Sequence, residues 1–446
     1  MVVIGKYGGT SIGTVEKINR VAEHAEDLAK GEQFVGITSA MDDTTDRTIR
    51  AEHSASRGKL IDLDEIFAHY NVDVNGNFRN VRSNLFREFR SFYTRDLVRS
   101  PEISARLRIT GERLSAHLVS ELFREHGFDS EVIDITDERF PLAASGRDIH
   151  NAYPNLAVSR KRAENFNSKH RFVFIPGYGG LMEDDLIGLY GRGGSDISAF
   201  LLAYALDNVR SVWICTDVDG IKQAIVNGLE TQTVRELGIK EAMEAAVLGA
   251  KLPSDIALIP LEAAFNEGRN PEVYITNVQH VYGERTKIVP ESSDRGIKVV
   301  AGRDIIVYKI ANGTDENGIV GFLNRLHKDY GLDWIDMGMR PRRYIIVGAF
   351  QGRGHEGIER IIAEFERKGL IGLREKREAS YVGVVGSGMY TDHTTGFRAK
   401  SSLAKNGINV LHHPDPGDFS LGYVVARQDK VKSIEALYRA FFRNGR

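Results

Sequence analysis

The stretch Lys6-Tyr7-Gly8-Gly9-Thr10-Ser11 decides the fold. Apolar or small residues at 2–5 precede it and predict a buried strand, and apolar residues recur at helical spacing from Ile12 to Leu28. A strand, a glycine turn and a helix N-terminus in this order leave backbone N–H groups open to an anion. Glycine lets a large anion approach, and the lysine adds a positive charge. The stretch suits a phosphate-binding turn, and an ordinary Gly-Gly turn between a strand and a helix is the competing interpretation. It is not a Walker A loop, because the lysine precedes the glycines.

The composition is that of an ordinary globular protein. The 446 residues are enough for about three domains, 27% of them are charged and 42% are hydrophobic. The net charge of −2 gives no basic field for nucleic acid, and no apolar run approaches the roughly 20 residues of a membrane helix. The single cysteine, Cys215, rules out a disulfide within the chain, and the first residues predict a core strand in place of a signal peptide. We therefore expect a cytoplasmic protein without a nucleic-acid or membrane partner.

A second short apolar run, residues 34–38, follows the first helical stretch and predicts a second strand. Strand, helix and strand in this order begin a parallel α/β sheet, in which ligands bind at the carboxyl ends of the strands. The loop of small, hydroxyl and acidic residues at 39–46 starts at such an end. Thr45 in this loop is either a ligand contact or the N-cap of the helix that follows.

Residues 51–107 predict a helical insertion packed over one edge of the sheet, with a turn at 74–77 and no chemistry of its own. The stretch 109–116 then opens a further helix with Glu112 in its first turn. An acid at this position is favoured by the helix dipole alone. The alternative is that the Glu112 carboxylate faces the ammonium group of a ligand.

The most specific segment is 189–200, Leu-Tyr-Gly-Arg-Gly-Gly-Ser-Asp-Ile-Ser-Ala-Phe. Its three glycines surround Arg192 and leave the backbone bare around a guanidinium, which suits bidentate recognition of a carboxylate or phosphate. Asp196 falls in the first turn of the next helix, where a simple cap is the competing interpretation. Because loops without a ligand rarely need three glycines, we expect a ligand site here.

Two further segments carry charged residues at the ends of elements. The segment Thr216-Asp-Val-Asp-Gly220 follows a buried strand, and its two carboxylates suit Mg²⁺ or the ribose and base of a nucleotide. An Asp-Gly turn is the competing interpretation. Lys251 follows a helix and is either a second cation for phosphate or an exposed lysine. Residues 271–276 predict the last strand of this part of the chain.

From about residue 300 the pattern changes to short strands that alternate with single amphipathic helices, without a new glycine-rich phosphate turn. The pattern predicts two copies of a small α+β unit, which suggests a ligand-sensing or dimerising module. We place the boundary before it within 285–303, where the sequence is polar and turn-forming. The predicted strands are 304–310, 344–350, 381–386, 408–411 and 420–426, and the predicted helices are 318–330, 355–368, 394–406 and 430–443.

Six motifs in this order resemble those of the aspartokinase family within the amino-acid-kinase superfamily, and the resemblance covers nearly the whole chain. The repeats after residue 300 resemble the tandem ACT domains that follow the kinase domain in that family. The motifs are Lys-Tyr-Gly-Gly-Thr-Ser (6–11), Ser-Ala-Met ahead of Thr-Thr-Asp (39–46), Gly-Glu-Arg-Leu-Ser (111–115), Gly-Arg-Gly-Gly-Ser-Asp (191–196), Thr-Asp-Val-Asp-Gly (216–220) and Gly-Ala-Lys (249–251).

The resemblance implies an α/β fold, an amino-acid-kinase-like three-layer αβα sandwich with a mainly parallel central sheet, followed by two small α+β (ACT-like) domains. It implies a kinase domain over 1–295 and ACT-like domains over 303–378 and 379–446. It also implies transfer of the γ-phosphoryl group of ATP to the β-carboxylate of L-aspartate, with Mg²⁺ bridging phosphate oxygens, as the first step towards lysine, threonine and methionine. Paired ACT-like units imply a homodimer or higher homo-oligomer and an amino-acid effector.

The roles of site residues are carried over where this sequence matches the family's motifs. The resemblance implies that Lys6 stabilises the transferring phosphoryl group and that Asp196 orients Lys6. It implies that Arg192 binds the carboxylate of the acceptor and Glu112 its amine. Thr45 and Ser195 are implied as further substrate contacts, and no protein side chain is assigned as a metal ligand. The implied nucleotide contacts are Gly8, Gly9, Thr10, Ser11, Thr216, Asp217, Asp219, Gly220 and Lys251, and Lys251 is also implied as a catalytic cation.

Two segments depart from the family pattern. The family usually has Tyr-Thr-x-Asp-Pro-Arg where this chain has Ile-Lys-Gln-Ala-Ile-Val at 221–226, so we expect nucleotide preference, affinity or rate to differ. Lys222 is one candidate to replace the missing arginine. His412 and His413 stand where the family usually has Ser-Glu-x-x-Ile, which puts feedback by lysine or threonine in doubt. Adjacent side chains on an extended segment point opposite ways, which favours loop histidines over a metal site.

Three functions are open from the sequence. The first is an aspartate kinase, the second is a carboxylate kinase for another acidic amino acid, and the third is a non-catalytic sensor whose ACT-like repeats bind an amino acid. The presence of Lys6, Asp196 and Lys251 favours catalysis. The altered segment 221–226 is the main support for the sensor.

Overall fold

The chain forms two compact units. The first comprises Met1–Ile221, Arg235–Ala242 and Leu252–Glu291, and the second comprises Lys222–Val234, Met243–Lys251 and Ser292–Arg446. The computed structural model describes residues 1–72, 74, 77–226, 228–313, 318–330, 334–340, 344–350, 355–389, 393–414 and 417–443. The predicted turn at 74–77 and the loop after His413 therefore lie partly outside the described residues.

The first unit is built from strands and helices that alternate along most of its length. Its strands are β1 (Val2–Tyr7), β2 (Gln33–Thr38), β3 (Ser130–Val132), β4 (Ala144–Ser145), β5 (Tyr153–Pro154), β6 (Phe172–Pro176), β7 (Gly179–Leu181), β8 (Ile187–Leu189), β9 (Val209–Thr216), β10 (Glu236–Gly238), β11 (Glu272–Asn277) and β12 (Arg285–Val289). Its helices are α1 (Val15–Ala29), α2 (Thr44–Ser56), α3 (Leu63–Ile66), α4 (Phe78–Phe92), α5 (Pro101–Arg108), α6 (Thr110–Glu125), α7 (Leu156–Ala163), α8 (Gly194–Ala205), α9 (Ile239–Val247), which continues into the second unit, and α10 (Asp255–Asn266).

Eight strands form one sheet in the order β10-β12-β11-β9-β1-β2-β6-β3. All neighbours are parallel except β11 and β12. Tyr7 on β1 faces a core built with α1 and α6. The side chain just before it on the strand, Lys6, points to α8 on the opposite face. Helices on both faces of a mainly parallel sheet confirm the predicted fold class. β12 follows the strand that we predicted to be the last, so that prediction is wrong.

The helical insertion packs on α6. α4 lies against α6, and α6 covers β6 and the edge strand β3, so the insertion lies over this edge of the sheet with α6 between them. Phe67 and Phe89 of the insertion belong to the same buried cluster as Phe123 of α6 and Phe172 of β6. The insertion therefore shares the core of one sheet face.

The glycine turn does not lead directly into an α-helix, which differs from our prediction. Gly9–Ser11 form a short 3-10 turn, and α1 begins only at Val15. The side chain of Thr14 accepts a hydrogen bond from the Lys17 N–H (3.3 Å) and so caps α1 at this later position. The positive end of the α1 dipole is therefore several residues beyond the glycines.

The second unit contains one six-stranded sheet in the order β14-β15-β13-β16-β18-β17, in which all neighbours are antiparallel. Its strands are β13 (Gly296–Asn312), β14 (Trp334–Arg340), β15 (Tyr344–Phe350), β16 (Ile371–Ser387), β17 (Val410–His412) and β18 (Ser420–Ala426). Its helices are α11 (Gly318–Tyr330), α12 (His355–Arg367), α13 (His393–Lys405) and α14 (Lys430–Tyr438).

Two separate cores in this unit match the two predicted helix pairs. One contains Tyr308 and Phe322, and the other contains Tyr423 and Leu437. β14 was not predicted, and the helix predicted at 430–443 ends as an α-helix at Tyr438, where a π-helical turn follows. β16 runs through the predicted boundary between residues 378 and 379, and that boundary stays a prediction. Among the described residues, no helix combines the length and apolar character that a membrane span requires.

Candidate active site

The Lys6 ammonium group is paired with the Asp196 carboxylate. Lys6 Nζ lies 2.7 Å from Asp196 Oδ1, and the two side chains are only 12% and 15% exposed. Asp196 is in the first turn of α8, whose N-cap is Gly193, and no side chain caps that helix. The competing interpretation of Asp196 as a simple cap is therefore wrong, because its carboxylate holds the lysine.

The two glycines of the first turn serve different purposes. A Cβ on Gly9 would lie 2.2 Å from the Ala40 carbonyl oxygen, so the loop after β2 packs directly on this backbone. A Cβ on Gly8 would have Lys6 Nζ and Ser11 Oγ as its nearest neighbours, each at 3.9 Å. Gly9 is thus required by packing within the protein, and Gly8 is the glycine that leaves open backbone beside the lysine.

The glycines around Arg192 also have backbone reasons. Gly191 and Gly193 have φ of 72° and 78°, which favour glycine. A Cβ on Gly194 would lie 2.9 Å from the Tyr178 ring, so the start of α8 packs closely against the turn after β6. Arg192 itself is exposed and has no hydrogen bond or ion pair with any other residue that the structure describes. Its guanidinium therefore remains available to an anion.

Glu112 is a buried carboxylate in the first turn of α6. Its side chain is 3% exposed, and burial raises the pKa of its carboxyl to about 8. Its own N–H, the Ala40 N–H and the Thr45 hydroxyl donate to it and oppose that rise. Within the described part of the chain, its Oε2 has no hydrogen-bond partner. The site thus holds one carboxylate oxygen that a ligand cation would satisfy.

The loop between β2 and α2 brings the predicted acceptor residues together. Thr38, the last residue of β2, donates to the Glu112 carbonyl (3.3 Å), and the hydroxyl of Ser39 in the loop donates to Ser195 Oγ (3.0 Å). Thr45 follows the loop and lies inside the first turn of α2, whose N-cap is Asp43, so the interpretation of Thr45 as an N-cap is wrong. One short loop therefore contacts Gly9, Glu112 and the start of α8.

The predicted nucleotide residues Thr10, Ser11 and Asp217 line one cavity of about 160 Å³. Asn277 also lines it, because β11 pairs with β9 and its last residue lies beside the end of β9. The Asn277 amide donates to Asp219 Oδ1 (2.9 Å) and supports the turn at Gly220, where φ is 65°. The sequence missed Asn277 because nothing in its local pattern marks it. The cavity is completed by Lys17, Arg20, Val278 and Gln279.

Lys251 lies in the second unit, where it and Lys222 line a small cavity of about 40 Å³. The ammonium group of Lys222 donates to the Thr233 hydroxyl (2.7 Å). Lys222 is the residue suggested by the sequence as a replacement for the family's arginine, and it lies on the same cavity as the motif lysine. No group of three or more His, Cys, Asp or Glu side chains that could hold a metal is found among the described residues.

Comparison with known proteins identifies the family. Residues 1–277 match the model of the amino acid kinase family. Aspartokinase 2 of Bacillus subtilis is 22% identical over 451 residues, covering 98% of this chain and 97% of that protein. The aspartokinase of Helicobacter pylori is 25% identical over 430 residues, which are 92% of either chain.

Longer relatives match over part of their length. The bifunctional aspartokinase/homoserine dehydrogenase of Haemophilus influenzae is 23% identical over 474 residues, which cover 98% of this chain and 56% of that protein. The chain thus spans about half the length of the bifunctional relatives that it matches.

The fold also matches solved structures. E. coli aspartokinase III in complex with aspartate and ADP, in the R-state, superposes with a TM-score of 0.83 at 18% identity and covers 99% of this chain and 100% of that chain. The complex of the same enzyme with lysine and aspartate, in the T-state, gives a TM-score of 0.71. The chain has an aspartokinase-like fold, and because the family model matches more than half of its length, it belongs to the amino acid kinase family.

Proposed function

We propose that the chain is an ATP-dependent aspartate kinase, which transfers the γ-phosphoryl group of ATP to the β-carboxylate of L-aspartate and gives 4-phospho-L-aspartate. The observation that carries this proposal is the buried Glu112 carboxylate, which has an unpartnered oxygen and is tied through the loop after β2 to the turn beside Lys6. The names of relatives that match end to end support the same activity.

The acceptor is held at both ends of its α-amino acid group in this proposal. The Glu112 carboxylate pairs with the ammonium group, and the exposed Arg192 guanidinium binds the α-carboxylate in a bidentate manner. Thr45 and Ser195 add hydrogen bonds. A substrate of this length places its β-carboxylate away from Glu112, towards the transferring phosphoryl group.

Phosphoryl transfer needs little covalent help from the protein, since most of the catalysis is positioning and neutralisation of charge. A β-carboxylate oxygen attacks the γ-phosphorus, the bond from the γ-phosphorus to the bridging oxygen breaks, and ADP leaves with both electrons of that bond. The carboxylate is already ionised at neutral pH, so no general base is required. Lys6 stabilises the transferring group, backbone N–H groups of Gly8 and Gly9 assist it, and Asp196 orients Lys6.

The nucleotide contacts in the proposal follow the motif match. Lys251 binds nucleotide phosphates, and Lys222 is a second candidate cation. Mg²⁺ would be held by phosphate oxygens of ATP together with at most one or two protein carboxylates, as this ion usually is in such sites. When bound, it would neutralise phosphate charge. The remaining proposed nucleotide contacts are Thr10, Ser11, Thr216, Asp217, Asp219 and Gly220.

We further propose the domain organisation and regulation that the resemblance implies. The kinase domain spans 1–295, and ACT-like domains span 303–378 and 379–446. The ACT-like domains form a homodimer or higher homo-oligomer and bind an amino-acid effector, and the E. coli complex named with lysine makes lysine the first effector to test. The product enters the pathway to lysine, threonine and methionine.

The test is an acyl-phosphate trap with purified protein, Mg-ATP, hydroxylamine and a panel of acidic amino acids. Formation of aspartyl hydroxamate alone is the expected result. Product with a different acid only would replace aspartate in the proposal, and binding of Mg-ATP without product from any acid, with ATP or GTP, would favour the non-catalytic sensor.

A further inference from the structure

The helical insertion, to which the sequence assigned no chemistry, carries a buried tyrosine beside the acceptor residues. Tyr70 follows α3, and its side chain is fully buried. Its ring packs edge to face on Phe67 with the centroids 6.3 Å apart, and both rings belong to the core that the insertion shares with α6. The ring is therefore fixed, and its hydroxyl group has a defined position.

The Tyr70 hydroxyl uses its full capacity for hydrogen bonds. The Met41 N–H donates to it (2.9 Å), and it donates to the Gly111 carbonyl oxygen (2.8 Å). Ser115 Oγ lies 2.8 Å away. Because a tyrosine hydroxyl has one proton, which goes to Gly111, the Ser115 hydroxyl is the donor in this third bond.

Both backbone partners of Tyr70 are sequence neighbours of groups that form the Glu112 environment. Met41 follows Ala40, whose N–H donates to the Glu112 carboxylate, and Gly111 precedes Glu112. The same two segments touch, because a Cβ on Gly111 would lie 2.8 Å from the Ala40 Cβ. One hydroxyl group thus fixes the separation of the loop after β2 from the first turn of α6.

We propose that Tyr70 is a positioning residue for the acceptor amino acid. It holds the loop 40–45 against α6, so that Glu112 presents its unpartnered oxygen to the ammonium group of the substrate. Tyr70 does not touch the substrate and acts through Glu112 and Thr45. This inference rests on the proposed function, since it assigns the role of Tyr70 to binding of an α-amino acid acceptor.

The test is Tyr70→Phe in the full chain. We expect the KM for aspartate to rise about tenfold, because the loss corresponds to roughly one net hydrogen bond at the site. The KM for ATP and the kcat at saturating aspartate should stay close to those of the wild type. A stability defect alone would not separate the two KM values in this way.

Tyr93→Phe is the matched control. The Tyr93 hydroxyl also accepts a backbone N–H, from Ile61 (3.1 Å), and donates to a backbone carbonyl, of Ala51 (3.1 Å), in the same insertion. Its partners are not neighbours of Glu112. We expect this variant to have a melting temperature lowered about as much as that of Tyr70→Phe and to keep the wild-type KM for aspartate.

Ser115→Ala is the milder variant if Tyr70→Phe does not fold. It removes only the third bond to the Tyr70 hydroxyl, and we expect a rise of about twofold to threefold in the KM for aspartate. Equal KM values for aspartate in Tyr70→Phe and Tyr93→Phe, or an unchanged KM in Ser115→Ala where Tyr70→Phe does not fold, would show that Tyr70 is structural only.

A readout without turnover separates this inference from the proposed function. Aspartate should raise the melting temperature of the wild type and of Tyr93→Phe, and at the same concentration it should raise that of Tyr70→Phe much less. If aspartate raises the melting temperature of Tyr70→Phe as much as that of the wild type, the positioning role is refuted and the kinase proposal stands. A wild type that neither turns over nor binds aspartate refutes both.

Discussion

Two carboxylates of the first unit differ in what they contact, and the difference suggests their roles. Asp196 is paired with Lys6 at 2.7 Å and is the counter-ion of that lysine. Glu112 receives only neutral donors, and burial raises the pKa of its carboxyl to about 8. A buried carboxylate without a cation is costly unless a ligand supplies the charge. Glu112 is therefore the group that we expect to respond to the acceptor.

The pH dependence of aspartate use should report Glu112. In the free enzyme its carboxyl is mostly protonated below pH 8, and only the ionised form pairs with ammonium. The kcat/KM for aspartate should therefore rise about tenfold per pH unit as pH increases towards 8 and level off above it. Steady-state kinetics between pH 6 and 9 measures this.

Glu112→Gln is the control for that profile. It should raise the KM for aspartate about 100-fold and abolish the rise of kcat/KM towards pH 8, because the amide cannot form the charge pair with the ammonium group. If the variant keeps the same rise of kcat/KM with pH, the titrating group is a residue other than Glu112.

Lys6→Ala should lower kcat by about 10³-fold or more, because in the proposed reaction it removes the cation that stabilises the transferring phosphoryl group. Asp196 then loses its partner, but it lies in the first turn of α8, where the helix dipole favours a negative charge. The fold should persist, as circular dichroism and the melting temperature would show. Substantial remaining turnover would contradict the role of Lys6.

At the scale of elements, the order of strand, glycine turn and helix was predictable, but the exact use of each glycine was not. Gly8 and Gly9 cannot be told apart in the sequence, because their different roles depend on where the fold places the Ala40 carbonyl. The start of α1 at Val15 was missed because apolar spacing continues through Ile12, while the local cap at Thr14 decides where the helix begins.

Gly8→Ala and Gly9→Ala should therefore fail in different ways. The Cβ at residue 9 would press on the Ala40 carbonyl, so Gly9→Ala should lose about 1–3 kcal/mol of stability as the loop after β2 is displaced. Gly8 has φ of −67°, which any residue adopts, and space for a Cβ, so Gly8→Ala should keep its stability and lose turnover. Denaturant unfolding with the hydroxamate assay distinguishes them, and equal stability losses would contradict this assignment.

At the scale of the whole molecule, the alternation of strands and helices predicted the parallel sheet. The change of pattern near residue 300 predicted the α+β part that follows it. The strand order was not predictable, because it depends on pairing between distant strands such as β9 and β11. For the same reason, the sequence could not predict Asn277 at its cavity or Tyr70 beside the Glu112 segment, because both are brought there by distant parts of the chain. The predicted kinase domain 1–295 includes 222–234, which group by their contacts with the second unit, and the domain bounds stay a prediction.

Ala224 tests that placement. It is 3% exposed in the core that contains Tyr423 and Leu437, and its neighbour Ile225 is 58% exposed. Ala224→Asp should destabilise the unfolding transition of the second unit by several kcal/mol, because it buries an unpaired charge. Ile225→Asp should change that transition little. Differential scanning calorimetry measures both, and equal effects would contradict the assignment.

The second unit is formed by three separate segments of the chain, which limits how it can be exchanged between related genes by recombination. A single crossover near residue 292 between this gene and that of a relative would give a chimaera in which Ala224, Val226 and Leu229 come from one parent and the core that they contact comes from the other. Second units exchanged in this way would carry mismatched surfaces inside one core. A functional exchange has to transfer 222–234 and 243–251 together with the C-terminal segment, so these two short stretches should be inherited with it.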